Sequence, residues 1–352
     1  MAYTTIDDPT AFFETTLYTG NGSSKSISSL NFQPDWLWIK CRSAASGSNI
    51  FDVLRGTNSL HSDTNGPDAD RASDGFTSLD NDGFTLNGSG SGGSVNVNSR
   101  TYAAWSWKTG TAFSNDASAT SVGTIDSAGS VNTTAGFSII GYTGTGSAGT
   151  IAHGLGVKPS FILFKNRQRE VNWLVYDKKN GANKFLYLNV TDAIGDDSGH
   201  FNDTEPTTSV FSVGGADGTN YNGENLIAYC FADVKGYSKL GRYVGLNSSN
   251  GNFVYTGFRP AIIFMKRIDA AGDWRIYDDK RDGFNQKNDY LEPSTSDAES
   301  DTDSGSSWDI LSNGFKFYTS EAAISGSGTF IYFAIAHSPF VNSKGVPNNP
   351  RG

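Results

Sequence analysis

The sequence predicts an all-β protein of three tandem antiparallel β-sandwich modules, jelly-roll or lectin-like, each of about 100 residues and joined by extended linkers. Three observations carry this expectation. The 352 residues include 41 Gly, 23 Phe, 15 Tyr and 7 Trp but only 2 Met. Glycine supplies turns, aromatic rings favour pleated surfaces, and little is left for long helices. The chain also repeats itself three times, and its apolar runs are short and bounded by Gly, Asn, Asp and Ser.

The repeat opens on a tyrosine. "YTGNGSSKSISSLNFQPDWLWIK" (18–40), "YTGTGSAGTIAHGLGVKPSFILFK" (142–165) and "YVGLNSSNGNFVYTGFRPAIIFMK" (243–266) align from Tyr18, Tyr142 and Tyr243. Pro34, Pro159 and Pro260 follow by 16, 17 and 17 residues, and Lys40, Lys165 and Lys266 come six later. Asp52, Asp177 and Asp278 each lie 12 beyond the lysine, always after an aromatic residue. Phe84, Phe211 and Phe315 then lie in "GFTL", "VFSV" and "GFKF", and each copy closes on "YAAWSWK", "LIAYCFA" or "FIYFAIA".

Copies begin 124 and 101 residues apart, too far for a solenoid and suited to tandem domains. The strands "DWLWIK", "SFILFK" and "AIIFMK" are apolar on both faces, which predicts central strands covered on both sides. The prolines are expected at strand starts, where no ladder bond is lost. The pairs Lys40–Asp52, Lys165–Asp177 and Lys266–Asp278 are expected to staple a hairpin.

These signals divide the chain into repeat one with a short N-terminal helix or arm (1–110), an extended linker (111–135), repeat two (136–240), repeat three (241–340) and an extended C-terminal tail (341–352). Asp8-Pro9 suits a helix N-cap followed by N1.

Gly144-Thr145-Gly146-Ser147-Ala148-Gly149 matches the G-x-G-x-x-G spacing of dinucleotide-binding loops, but "TIAHGLGVKPS" after it cannot propagate the helix such a loop needs. Repeat three lacks the spacing at the same place. The glycines read as turns, and no cofactor is expected. The histidines His61, His153, His200 and His337 form no metal-type cluster and read as turn or surface residues.

In the acidic segment 296–309, Asp297, Glu299, Asp301 and Asp303 alternate and form a weak Ca²⁺ candidate, against a simpler reading as a solvated loop. The paired tryptophans Trp36/Trp38 and Trp105/Trp107 read as core. Trp173 and Trp274 take matching places. Trp308, beside the acidic segment, is the candidate for glycan contact. No nucleophile elbow or phosphate loop is visible, so catalytic residues are expected to be none.

The formal charge of −9 and the absence of a basic stripe argue against nucleic acid as a partner. No apolar run nears the roughly 20 residues a membrane helix needs. The N-terminal "MAYTTIDDPTAFFETT" has no signal-peptide pattern. Cys41 and Cys230 are expected as buried free thiols. Together these suggest assembly in a reducing cytoplasm.

Several stretches, "YTTIDDPTAFFETTLYTGNGS", "QPDWLWIKCRS", "YAAWSWKTGTAFSNDASAT", "GTIDSAGSVNTTAGFSIIGYTGTGSAGTIAHGLGVKPSFILFKNR" and "HSPFVNSKGVPNNPR", resemble a family of virion proteins of tailed bacteriophages, abundant in marine phages including cyanophages. The resemblance covers nearly the whole chain. It implies a non-enzymatic virion structural protein that partners other virion proteins and copies of itself, by default as a homotrimer. It brings no catalytic residues. The expected function is a tail-fibre or tail-tip component contacting host-surface polysaccharide. Two alternatives are a capsid or tail decoration protein and a glycan depolymerase.

Overall fold

The computed structural model describes residues 3–88, 95–283, 285–301 and 308–347. It is all-β, and the three sequence repeats use the same pairing scheme. Repeat one holds β1 (Phe13–Thr19), β2 (Lys25–Ile27), β3 (Trp36–Cys41), β4 (Asn49–Asp52), β5 (Asn58–Ser59), β6 (Ala69–Asp70), β7 (Phe76–Asp80), β8 (Gly83–Leu86) and β9 (Thr101–Trp107). Next come β10 (Thr111–Asn115), a single helical turn α1 (Ala117–Thr120) and β11 (Ser127–Asn132).

Repeat two holds β12 (Phe137–Thr143), β13 (Gly149–Ala152), β14 (Phe161–Asn166), β15 (Leu174–Asp177), β16 (Lys184–Tyr187), β17 (Gly195–Asp196), β18 (Val210–Val213) and β19 (Asn225–Phe231). Repeat three holds β20 (Ser238–Val244), β21 (Phe253–Tyr255), β22 (Phe258–Arg267), β23 (Arg275–Asp278), β24 (Asp289–Tyr290), β25 (Ser300–Asp301), β26 (Trp308–Leu311), β27 (Gly314–Phe317) and β28 (Thr329–Pro339).

The inner sheets run β1-β9-β3-β4 in repeat one and β20-β28-β22-β23 in repeat three. In repeat two the order β12-β19-β14-β15 is embedded in an eight-stranded sheet. Smaller sheets, β2-β8-β7, β13-β18 and β21-β27-β26, form the outer layers. Side chains alternate along each central strand. Leu37, Ile39 and Cys41 pack with Phe76, Phe84 and Leu86 of the outer sheet. On the other face, Trp36 lies 4.8 Å from Tyr229 of repeat two and Trp38 lies 5.6 Å from Phe264 of repeat three. Phe161 stacks 5.2 Å from Phe333, which closes the third side.

The inner sheets thus share one core, which explains why these strands are apolar on both faces. The repeats are joined by this core, and the linkers that the sequence suggested do not separate them.

The repeated tyrosines have one task. Tyr18, Tyr142 and Tyr243 are buried, and each hydroxyl donates to a backbone carbonyl: Val95 at 2.6 Å, Thr219 at 2.6 Å and Ile324 at 2.7 Å. Two residues on, the glycines are a matter of close approach. A Cβ on Gly20, Gly144 or Gly245 would lie 2.2, 2.1 or 2.0 Å from a carbonyl oxygen. The glycine-rich run therefore follows β12 as a turn, with Gly149 opening β13. Pro34 and Pro159 precede their strands, and Pro260 sits at a register shift within β22.

The lysine–aspartate staple is not formed. Asp52 pairs with Trp36 and Asp177 with Phe161, so each aspartate lies at the opposite end of the central strand from its lysine, four residues or about 13 Å away. The buried lysines reach neighbouring repeats instead. Lys40 donates to Thr295 O at 2.7 Å, Lys165 to Asn65 O at 3.1 Å and Lys266 to Thr191 O at 3.0 Å. Repeat one thus hooks repeat three, two hooks one, and three hooks two.

Two residues beyond each lysine the pattern recurs in the backbone. Glu299 N donates to Arg42 O, Asp68 N to Arg167 O and Ile194 N to Ile268 O, each at 2.9 Å. This cyclic latch closes the chain into a pseudo-threefold body.

The aspartates have local partners, and two of them also reach a neighbouring repeat. Asp52 pairs with Arg55 at 2.7 Å and accepts from the Tyr229 hydroxyl at 2.6 Å. Asp278 pairs with Arg281 at 2.6 Å and accepts from Trp105 Nε1 at 3.1 Å. Asp177 meets Asn180, which brings no charge. Burial raises the Asp177 pKa. At Asp278 burial pushes the same way and is the largest single influence, but the charge and hydrogen bonds of Arg281 together with the Trp105 hydrogen bond bring the net shift downward.

The expected linker is a folded element. β10 and β11 form a hairpin, and β11 pairs along the whole of β12. The described part of the C-terminal segment is also not extended: Val341 bridges Pro347, and Ser343 N donates to Asp7 at 2.6 Å. The N-terminal helix is a 3₁₀ turn, Pro9–Ala11, capped by Asp8. Cys41 and Cys230 are buried free thiols.

Candidate functional site

A frame that repeats three times makes departures informative, because whatever one repeat alone carries is not required by the frame. Repeat two has two such departures on its first strand. Its edge is covered by the β10–β11 hairpin, and Gly141 stands where repeat one has Leu17 and repeat three has Arg242. Gly141 is not demanded by the backbone, since an added Cβ would meet nothing nearer than 3.6 Å. Its missing side chain leaves open the floor of a cleft of about 490 Å³ between the hairpin and repeat one.

The walls are polar. Ser114, Asp116, Asp126 and Ser127 come from the hairpin, Thr143 and Asn225 from β12 and β19, Arg167 from the end of β14, and Leu54 from repeat one. Each is placed by the fold. Asp116 accepts from Ser118 N and Ala119 N, which caps α1, and the Ser118 hydroxyl and these amides lower its pKa. Asp126 accepts from Ala117 N at 2.8 Å. Arg167 is held by Asp68 of repeat one at 2.7 Å, so the interlock also sets one wall. Hydroxyls, carboxylates, two amides and a guanidinium, set among Leu54, Leu226, Ala128 and Tyr142, suit a ligand that carries both hydroxyls and apolar faces, as a sugar ring does.

The residues singled out from the sequence lie elsewhere. Trp308 is fully buried, edge-on to Tyr277 and Phe315, so it is a core residue and no glycan platform. All seven tryptophans are buried likewise.

In the acidic segment, Glu299 binds Arg42 at 2.6 Å and Arg281 at 2.9 Å, which makes it part of the latch between repeats one and three. Asp297 is exposed, Asp301 lies in β25, and Asp303 falls outside the described residues. Among the described residues no three His, Cys, Asp or Glu side chains gather to hold a metal ion.

The histidines are less exposed than the sequence suggested. His153 is fully buried with Nε2 3.2 Å from Thr207 O, and burial pulls its pKa down to about 4. His200 is buried and His61 half-buried, and burial lowers both. Half-buried His337 contacts Asp279 at 2.7 Å.

Residues 111–135 look like linker in the sequence, so nothing there marks the cleft that the hairpin forms. Among the described residues, no helix is long and apolar enough to cross a membrane.

The fold and the cleft together define an all-β, threefold-repeated protein with a polar cleft on one repeat. Residues 8–339 match a family described as a domain of unknown function (DUF7483), and the chain belongs to that family. No curated protein and no solved structure matches it.

Proposed function

We propose that this chain is a non-catalytic structural protein of a tailed-bacteriophage particle, a tail-fibre or tail-tip component built of three lectin-like β-sandwich modules. In this reading it touches a host-surface polysaccharide through the repeat-two cleft. The resemblance of its sequence segments supports the virion role. The observation that carries the contact is the cleft itself, polar-walled and floored by a glycine that the backbone does not need. Asp116 and Asp126 both accept backbone amides of the hairpin turn, which fits a structural use better than acid–base chemistry.

Two measurements test this reading. Immunogold labelling of intact particles is expected to mark the tail, and label spread over the head would replace tail contact with decoration. Host polysaccharide is expected to bind the wild-type chain and to fail on Gly141→Leu, which restores the side chain that repeat one carries. Binding unchanged in Gly141→Leu removes the cleft from the proposal. Release of reducing ends from that polysaccharide would point to the depolymerase alternative.

A further inference from the structure

The loop that follows each buried lysine is tied to the neighbouring repeat at two seams and not at the third. Six residues beyond Lys40, Ser46 N donates to Ser296 O at 2.6 Å, which ties repeat one to repeat three. Six beyond Lys266, Gly272 N donates to Thr191 O at 2.8 Å, which ties repeat three to repeat two. Six beyond Lys165, Val171 N turns back to Arg169 O of its own loop at 3.0 Å. At this seam a second cleft opens, of about 310 Å³, and it shares no wall residue with the first.

The walls come from both repeats. Repeat one supplies Asn65, the untied loop supplies Glu170 and Asn172, and the end of β16 supplies Tyr187. Two helical turns complete them, α2 (Ser198–Phe201) with His200 and α3 (Asp217–Asn220) with Asp217. Among the described residues these two turns have no counterpart in repeats one and three. His200 is about nine-tenths buried, with Nε2 3.8 Å from Asp197, and its Nδ1 has no hydrogen-bond partner among the described residues. Buried polar groups are normally paired, so this one marks a wall that the protein alone does not satisfy.

The cleft is also negative. No lysine or arginine lines it, and among the described residues no cation pairs with Glu170 or Asp217. The nearby cations are already engaged: Lys165 gives its ammonium to the carbonyls of Asn65, Asn166 and Arg169, and Arg169 pairs with Glu224 at 2.9 Å. Burial, and then the charges of Asp192 and Asp197, raise the Tyr187 pKa, as a negative surrounding requires.

We propose that this second cleft is a binding site for an amino sugar with a free ammonium group, carried as one residue of a glycan. Its ammonium faces the Glu170 and Asp217 carboxylates and the Tyr187 ring, and its hydroxyls meet the Asn65 and Asn172 amides. A volume of about 310 Å³ is at the small end of the range for ligand pockets, which suits a sugar unit. The site is independent of the first cleft and holds even where that cleft binds no polysaccharide.

The test titrates the full chain in a calorimeter, in mildly acidic buffer where sugar amines are charged. The probes are a glucosamine tetramer, its N-acetylated counterpart and tetralysine. The glucosamine tetramer is expected to bind about tenfold or more tightly than the acetylated one, which has the same hydroxyls and no charge. Glu170→Gln with Asp217→Asn is expected to weaken it about tenfold with an unchanged thermal melt, since both residues are exposed. Gly141→Leu, which fills the first cleft, is expected to leave this binding unchanged.

Equal affinity for the charged and acetylated tetramers overturns the proposal, as does full binding by the Glu170→Gln/Asp217→Asn variant. Loss of binding in Gly141→Leu would move the amino sugar to the first cleft. Tetralysine binding as tightly as the glucosamine tetramer would show that charge alone is read, and would remove the sugar.

Discussion

Repeats two and three begin with the same strand and treat its edge in opposite ways. Repeat two lays the β10–β11 hairpin over β12 and leaves a polar cleft beneath it. Repeat three leaves β20 outermost and surrounds it with apolar and basic side chains. The inner sheets, tyrosine bonds and lysine hooks are common to both. The contrast teaches that the frame is set by buried positions, while the first-strand edge, where the frame makes no demand, is free to differ from one repeat to the next.

The largest expected effect comes from the buried aspartates, where the two repeats also differ. Arg281→Ala leaves Asp278 buried without its cation and is expected to cost about 3–5 kcal/mol in urea unfolding. Asn180→Ala, at the same place in repeat two, removes two hydrogen bonds to the Asp177 carboxylate but no counter-charge, and is expected to cost about 1.5–3 kcal/mol. Equal losses would mean that the charge at this position is immaterial.

Next come the lysine hooks. Burial lowers the Lys165 and Lys266 pKa values from 10.5 to about 8. Between those values the unfolded chain holds protons that the folded chain has released, so stability rises with pH through this window. Burial holds the buried tyrosines Tyr142 and Tyr243 above their usual value, which opposes the rise above pH 10. From pH 8 to 10, the wild type is therefore expected to gain on the order of 4 kcal/mol, about 2 for each lysine, relative to Lys165→Met/Lys266→Met, read from paired denaturation curves. A flat difference would place the lysine protons elsewhere.

A smaller, local effect sharpens the edge comparison. A side chain on Gly129 of β11 would lie 1.8 Å from Ile139 O of β12. Gly129→Val is expected to unseat the hairpin, so that hydrogen exchange accelerates across residues 111–132 while the inner sheets stay protected. Uniform protection would show that β11 tolerates the side chain. The smallest stability change is expected for Gly141→Leu, within about 0.5 kcal/mol, because an added Cβ meets only ordinary van der Waals contacts from 3.6 Å outward and the rest of the side chain faces the cleft.

Much of the frame was legible. The spacing from Tyr18 to Asp52 recurs from Tyr142 and from Tyr243, and doubly apolar runs such as "DWLWIK" announced burial on both faces. The lysine hooks were not, because their acceptors are backbone carbonyls of Thr295, Asn65 and Thr191. A carbonyl acceptor leaves no mark on residue type, so the three loops share no motif. The hairpin was hidden for a related reason: small polar residues pair through their backbone and bury little. Acidic neighbours in sequence do not keep Trp308 exposed, because β26 turns its ring inward against Tyr277 and Phe315.

The amino-acid sequence by itself determined the strands, their repeat and which positions must be buried, because side-chain type and period decide those locally. Only the tertiary structure decided that the repeats close on one another and that a cleft forms between the hairpin and repeat one. Those outcomes rest on backbone groups and surfaces brought together from distant parts of the chain, where no local pattern records the meeting.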